Sequence, residues 1–224
     1  MALGPVLSPG AMGLMAASAV LAPLAACGGL WLARATDPAL AGISVELRPS
    51  SILLAGGLAL GLALAASPTT LVGSLLCASL AGAGAADRDH FVLPDSLTLA
   101  AVGLALVGQP FAPASSRLEL IAAGGGLYVV GIAFAWAIRA WRGRAAFGQG
   151  DVKLIAALGV ILPAPLIAPA VLAGSVSALV SAGLACVGLA PRGSGRAIAL
   201  GLHLVLGSAV ALGAATAFPS LFVR

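Results

Sequence analysis

The chain has 224 residues, 61% of them hydrophobic and only 8% charged, with a mean hydropathy of +1.13. A soluble domain carries about 25% charged residues, so the composition excludes an ordinary globular protein and implies a polytopic membrane protein. The net charge of +4 comes from basic residues spread over short loops, which topology rules explain without any nucleic-acid partner.

Taken in chain order, Met1 to Gly10 offers no basic stretch ahead of the first apolar run. No cleavable signal peptide is expected there, and the first helix should stay in the mature protein. Apolar segments long enough to span run over Ala11–Ala33, Ser51–Ala66, Thr70–Ala86, Leu97–Phe111, Leu118–Ile138, Leu166–Ala190 and Ala197–Phe218. One further segment, Val152–Leu162, is short and stops at Pro163-Ala164-Pro165. At ~1.5 Å per residue it reaches about half of a ~30 Å hydrocarbon core, so length alone allows a re-entrant segment.

Charge favours a crossing. With the N-terminus outside and eight crossings, the inside loops hold Arg34, Arg48, Arg88, Arg139, Arg142, Arg144, Lys153, Arg192 and Arg196. Only Arg117 and Arg224 then lie outside, the asymmetry expected of cytoplasmic loops. If Val152–Leu162 did not cross, Arg192 and Arg196 would move outside and the bias would weaken. The expected fold is therefore an all-α polytopic membrane protein, a bundle of about eight transmembrane helices with one of them short. Residues 1–224 form a single integral-membrane domain in this reading, because no linker has the composition of a soluble domain. Ala, Gly and Leu dominate, and small residues let such helices approach closely. Cys27, Cys77 and Cys186 each sit in an apolar run without C-x-x-C spacing, so they are read as small buried hydrophobes.

This topology puts Asp87, Asp89, Asp95 and Asp151 together at the cytoplasmic boundary. Ionisable residues are costly at such positions and are functional candidates by default. Asp151 closes the string Gly148-Gln149-Gly150-Asp151 at the foot of an apolar helix. The glycines allow unusual backbone angles and close approach. The plain structural reading is an Asp N-cap. The helix dipole favours an ionised Asp151, whereas a second carboxylate nearby resists double ionisation. Two such carboxylates can share one proton and activate water.

The other cluster is Asp87-Arg88-Asp89-His90-Phe91-Val92-Leu93-Pro94-Asp95. Read plainly it is a solvated turn, with Asp95 as N-cap before Ser96 and Leu97. Asp87 resists that reading. It stands at a helix end, where the dipole opposes a negative charge, so something other than helix stability retains it. His90 either tunes Asp87 or is an exposed loop histidine, and Lys153 either snorkels to the interface or helps keep Asp151 ionised. His203 reads as a packing histidine within the last helix, and Arg139, Arg142 and Arg144 as anchors for anionic headgroups.

The string Asp87-x-Asp89-His90-x-x-Leu93-Pro94-Asp95-x-Leu97-Thr98-Leu99 resembles the first signature of the type IV prepilin peptidases. Gly148-Gln149-Gly150-Asp151-Val152-Lys153-Leu154 resembles their second, glycine-rich signature, and Ile198 to Gly207 is faintly similar to a last-helix motif. The resemblance implies an aspartic endopeptidase with Asp87 and Asp151 as its catalytic pair. Gly148, Gly150, Lys153, Asp89, Pro94 and Asp95 would be the supporting residues. It implies a bacterial inner-membrane protein whose active site faces the cytoplasm, with prepilins or pseudopilins as substrate and the bilayer as its surroundings. No cofactor, metal or nucleic acid is called for. Long members of that family carry paired cysteines in a large loop after the first helix. Arg34 to Ser50 is short and has none, so the resemblance is to the short, peptidase-only forms.

Two other classes compete. A membrane phosphotransferase would hold Mg²⁺ on Asp87, Asp89 and Asp95, although the repeated D-x-x-D spacing is missing. A transporter or assembly scaffold would treat the acids as incidental, but it would be expected to show internal repeats and mid-membrane charge.

Overall fold

The computed structural model describes residues 71–109, 116–143, 148–187 and 198–218. The first two expected crossings, Ala11–Ala33 and Ser51–Ala66, and the Arg34 to Ser50 loop with Cys27 before it, lie outside these residues. All regular structure within them is helical: α1 (Leu71–His90), α2 (Asp95–Gly108), α3 (Arg117–Arg142), α4 (Gln149–Ile161), α5 (Ala164–Cys186) and α6 (Leu200–Ala217). Each helix overlies one apolar segment of the sequence.

Among the described residues, α3 and α5 are long and apolar enough to cross a membrane. Their 26 and 23 residues reach about 39 and 35 Å at 1.5 Å each, beyond the ~30 Å hydrocarbon core. α3 presents Leu118, Ile121, Val129, Val130, Phe134 and Trp136 outward. An apolar surface of that extent is expected of a helix bathed in lipid. α4 is short, as expected, and ends where Leu162 turns extended ahead of Pro163.

Several helix ends have local causes. Ser116 and Glu119 form a reciprocal capping box at the start of α3, and Gly143 ends it at φ 68°. α1 runs four residues past the expected Ala86 and ends with Phe91 at φ 53°, its N–H donating to the Asp87 carbonyl at 2.8 Å. The apolar run stops at Ala86, whereas backbone hydrogen bonding continues into the polar motif.

In lipid there is little hydrophobic drive between helices, so packing rests on close backbone approach. α5 and α6 form the most extensive pair. A Cβ on Gly174 would lie 2.8 Å from the His203 carbonyl, and one on Gly207 would overlap the Ala170 carbonyl. Gly124 of α3 and Gly159 of α4 meet in the same way. Leu76, Leu80, Leu154, Leu158, Leu204 and Val205 fill the interior where α1, α4 and α6 converge. His203 is partnered there by Ser177 Oγ, 2.9 Å from its Nδ1, in keeping with a packing role. Cys77 is buried as expected; Cys186, at the end of α5, is exposed instead.

Candidate active site

Asp87 lies in the last turn of α1 and is buried, 5% exposed. Its Oδ2 accepts the Leu202 backbone N–H at 3.2 Å, with the Gly201 N–H as a second donor. Both belong to the first turn of α6, whose N–H groups have no partner within their own helix. The dipole that opposes Asp87 in its own helix is therefore met by the favourable end of another. Burial pushes the Asp87 carboxyl above its ordinary value, and the two α6 N–H groups partly offset this.

Asp151 comes from a different helix, α4. α4 starts at Gln149 with Gly148 as N-cap residue, so Asp151 is the third helical residue and not the cap. Its carboxylate reaches back to the Gly148 N–H, as the acidic member of a capping box does. Burial, and then the charge of Asp87, push Asp151 up to about 6, while the Gly148 N–H draws it down. Asp151 thus senses the charge of Asp87, and both stand just outside the apolar segments that carry them.

The motif glycines serve close approach. Among the described glycines only Gly143 has positive φ. A Cβ on Gly148 would lie 3.0 Å from Asp151 Oδ2, and one on Gly201 would lie 2.9 Å from Asp87 Oδ2. A Cβ on Gly150 would lie 3.1 Å from Leu93 Cβ.

Asp95 departs from its expected role. Pro94 is the N-cap residue of α2, with no side-chain cap, and both Asp95 oxygens instead accept from Lys153 Nζ at 2.8 Å. The pair ties α2 to α4 on an exposed surface, at 51% and 40% exposure. Such exposed pairs contribute about 0–1 kcal/mol. Lys153 consequently holds Asp95 and is not the partner of Asp151. Pro94 is buried and seats the loop. The side chains of Asp89 and His90 lie outside the description.

The sequence reading missed Gly201 and Leu202. Their only signal was the weak Ile198 to Gly207 motif, since backbone donors leave no mark on side-chain chemistry. Two grooves flank α4. One of about 470 Å³ lies between α3 and the start of α4, lined by Ile132, Trp136, Arg139, Gly148 and Gln149 among others. The other, about 550 Å³ and mostly apolar, runs between α2, α3 and α4 past Leu99, Val102, Ile121 and Val160. Tyr128 and Lys153 border both.

Residues 74–183 match the model of the type IV leader peptidase family. The chain is also similar to a prepilin leader peptidase/N-methyltransferase of Xanthomonas campestris pv. campestris, with 37% identity over 114 residues. That match takes in 50% of this chain and 38% of the relative, so the chain spans well under half of the relative's length. No solved structure matches the chain.

Proposed function

The chain belongs to the type IV leader peptidase family, and on that premise we propose that it is a membrane-embedded aspartic endopeptidase removing the leaders of prepilins or pseudopilins. One observation carries the aspartic reading. Asp87 is buried against the N-terminus of α6, and its charge, after burial, raises the half-buried Asp151 carboxyl from a second motif far away in sequence, which supports a shared site.

In this mechanism the pair holds one proton. The ionised carboxylate takes a proton from water as its oxygen attacks the peptide carbonyl, and the protonated partner donates to the carbonyl oxygen. A proton then passes to the leaving amine as the C–N bond breaks. The N–H groups of Gly148, Gly201 and Leu202 stabilise the carboxylate charge wherever it resides. The site faces the cytoplasm of the inner membrane in the eight-crossing topology, which the loop charges support. The apolar groove beside α4 offers room for an apolar stretch of substrate chain.

The Mg²⁺ phosphotransferase is disfavoured by the engagement of its ligands. Asp95 is held by Lys153, and Asp87 is turned to the α6 N-terminus. Methyl transfer is not part of the proposal either, because Arg34 to Ser50 is too short to enclose a cofactor pocket of hundreds of cubic ångströms.

The test is cleavage of a prepilin by the purified, detergent-solubilised chain. Asp87→Ala and Asp151→Ala should each abolish cleavage, with membrane insertion retained, and Asp95→Ala should be milder. EDTA should leave the wild-type rate unchanged, and product formed with S-adenosylmethionine present should gain no methyl mass. Near-normal processing by either Asp87→Ala or Asp151→Ala would sink the dyad.

A further inference from the structure

The helices that carry Asp87 and Asp151 have little direct contact. α1 packs on α2 and α6, while α4 packs chiefly on α3 and α2. Something else must set the distance between the two carboxylates. The loop after α1 supplies a candidate in Leu93, a buried side chain that belongs to neither helix.

Leu93 touches the first turns of two helices at once. A Cβ built on Gly150, the residue before Asp151, would lie 3.1 Å from Leu93 Cβ and 3.2 Å from its Cδ1. One built on Gly201, the residue before Leu202, would lie 3.0 Å from both Leu93 methyls. The same Cδ1 therefore sits against both glycines. A carbon added at either glycine would press on this one side chain. Side chains packed this closely transmit displacement instead of absorbing it.

We propose that Leu93 is a positioning residue, a wedge on which the first turns of α4 and α6 close and which thereby sets the separation of Asp87 and Asp151. The inference rests on the dyad reading above. It explains why neither Gly150 nor Gly201 bears a side chain although neither adopts a positive φ. Gly201 keeps its place beside the carboxylate of Asp87, and Gly150 keeps Asp151 at the depth where the pair interacts. Of the neighbouring charged groups of α2 and α4, Asp95 and Lys153 are paired with one another on the surface.

The experiment is a compensating pair in the full chain. Gly150→Ala adds one carbon against Leu93, and Leu93→Val removes one. Gly150→Ala alone should lower kcat about tenfold with little change in KM, since small misplacements of reacting groups are costly. Leu93→Val should bring Gly150→Ala back to within about threefold of wild type, because the total volume is conserved. Losses that multiply in the double variant would overturn the wedge. A second readout needs no turnover. Infrared titration of the protonated carboxyl band should show the last proton of the pair leaving at higher pH in Leu93→Ala, because the two first turns close on the smaller side chain and the carboxylates approach one another. An unchanged titration in a folded Leu93→Ala would also overturn it. If the wild type cleaves no prepilin, the peptidase reading fails, while the infrared result still decides the wedge.

Discussion

At the scale of residues, the site is organised by carboxylates placed where charge is disfavoured. Asp151 holds its proton up to about pH 6 in the folded chain, against an ordinary value of 3.8. Between those values the folded state binds more protons than the unfolded one. Stability therefore falls as pH rises through that window, and the full cost is present above it. Asp151→Asn removes the cost and should melt at a higher temperature than wild type above neutrality, by about 2–4 °C for each kcal/mol recovered. The difference should shrink at pH values below the unfolded carboxylate range, and thermal unfolding in detergent measures both. In the proposed dyad the same shift sets an expectation for activity. A pair that must hold one proton loses it as pH rises, so kcat/KM should have an alkaline limb no lower than about 6. A profile flat from acid through alkaline pH would contradict a shared proton. The candidacy of both aspartates was legible in the sequence, because ionisable residues at the edge of apolar helices are conspicuous. Their environments were not: the donors to Asp87 are backbone N–H groups of Gly201 and Leu202, over a hundred residues away.

At the scale of elements, the α5–α6 interface decides where those donors point. Gly207 lies against the backbone of Ala170 and Gly174, with no room for a methyl group. Gly207→Ala should cost about 1–3 kcal/mol by overpacking and should reduce cleavage by tilting the α6 N-terminus away from Asp87. Gly183→Ala is the matched control in α5, where a Cβ would meet nothing within 4 Å. Its melting temperature should not fall. Equal destabilisation by both would show that helix contact is not what Gly207 protects. Apolar runs located each described helix, but their ends were harder to read. α1 outlasts its apolar run because hydrogen bonding ignores hydropathy. Asp95 does not cap α2 because the helix starts one residue earlier than expected, with Pro94 at the N-cap, and its carboxylate accepts from Lys153, one turn into α4, instead.

At the scale of the molecule, loop charges predict that reporter fusions after Arg144 and after Gly195 lie in the cytoplasm. A fusion after Ala114 should lie outside. A fusion after Gly195 found outside would mean that α4 does not cross, and the eight-crossing topology would fail. Composition alone pointed to a helical membrane protein, because so little charge and so much apolar length admits few other solutions, and two of the described helices are long and apolar enough to cross. Two polar motifs at the ends of apolar runs determined which residues to watch, since each motif is local and carries its own chemistry. Only the tertiary structure decided how they meet. Asp87 faces the N-terminus of α6, Asp151 turns back on Gly148, and Leu93 lies against Gly150 and Gly201. These relations join residues distant in sequence through backbone donors and bare glycines, whose effects depend on distance in space and leave no local pattern along the chain.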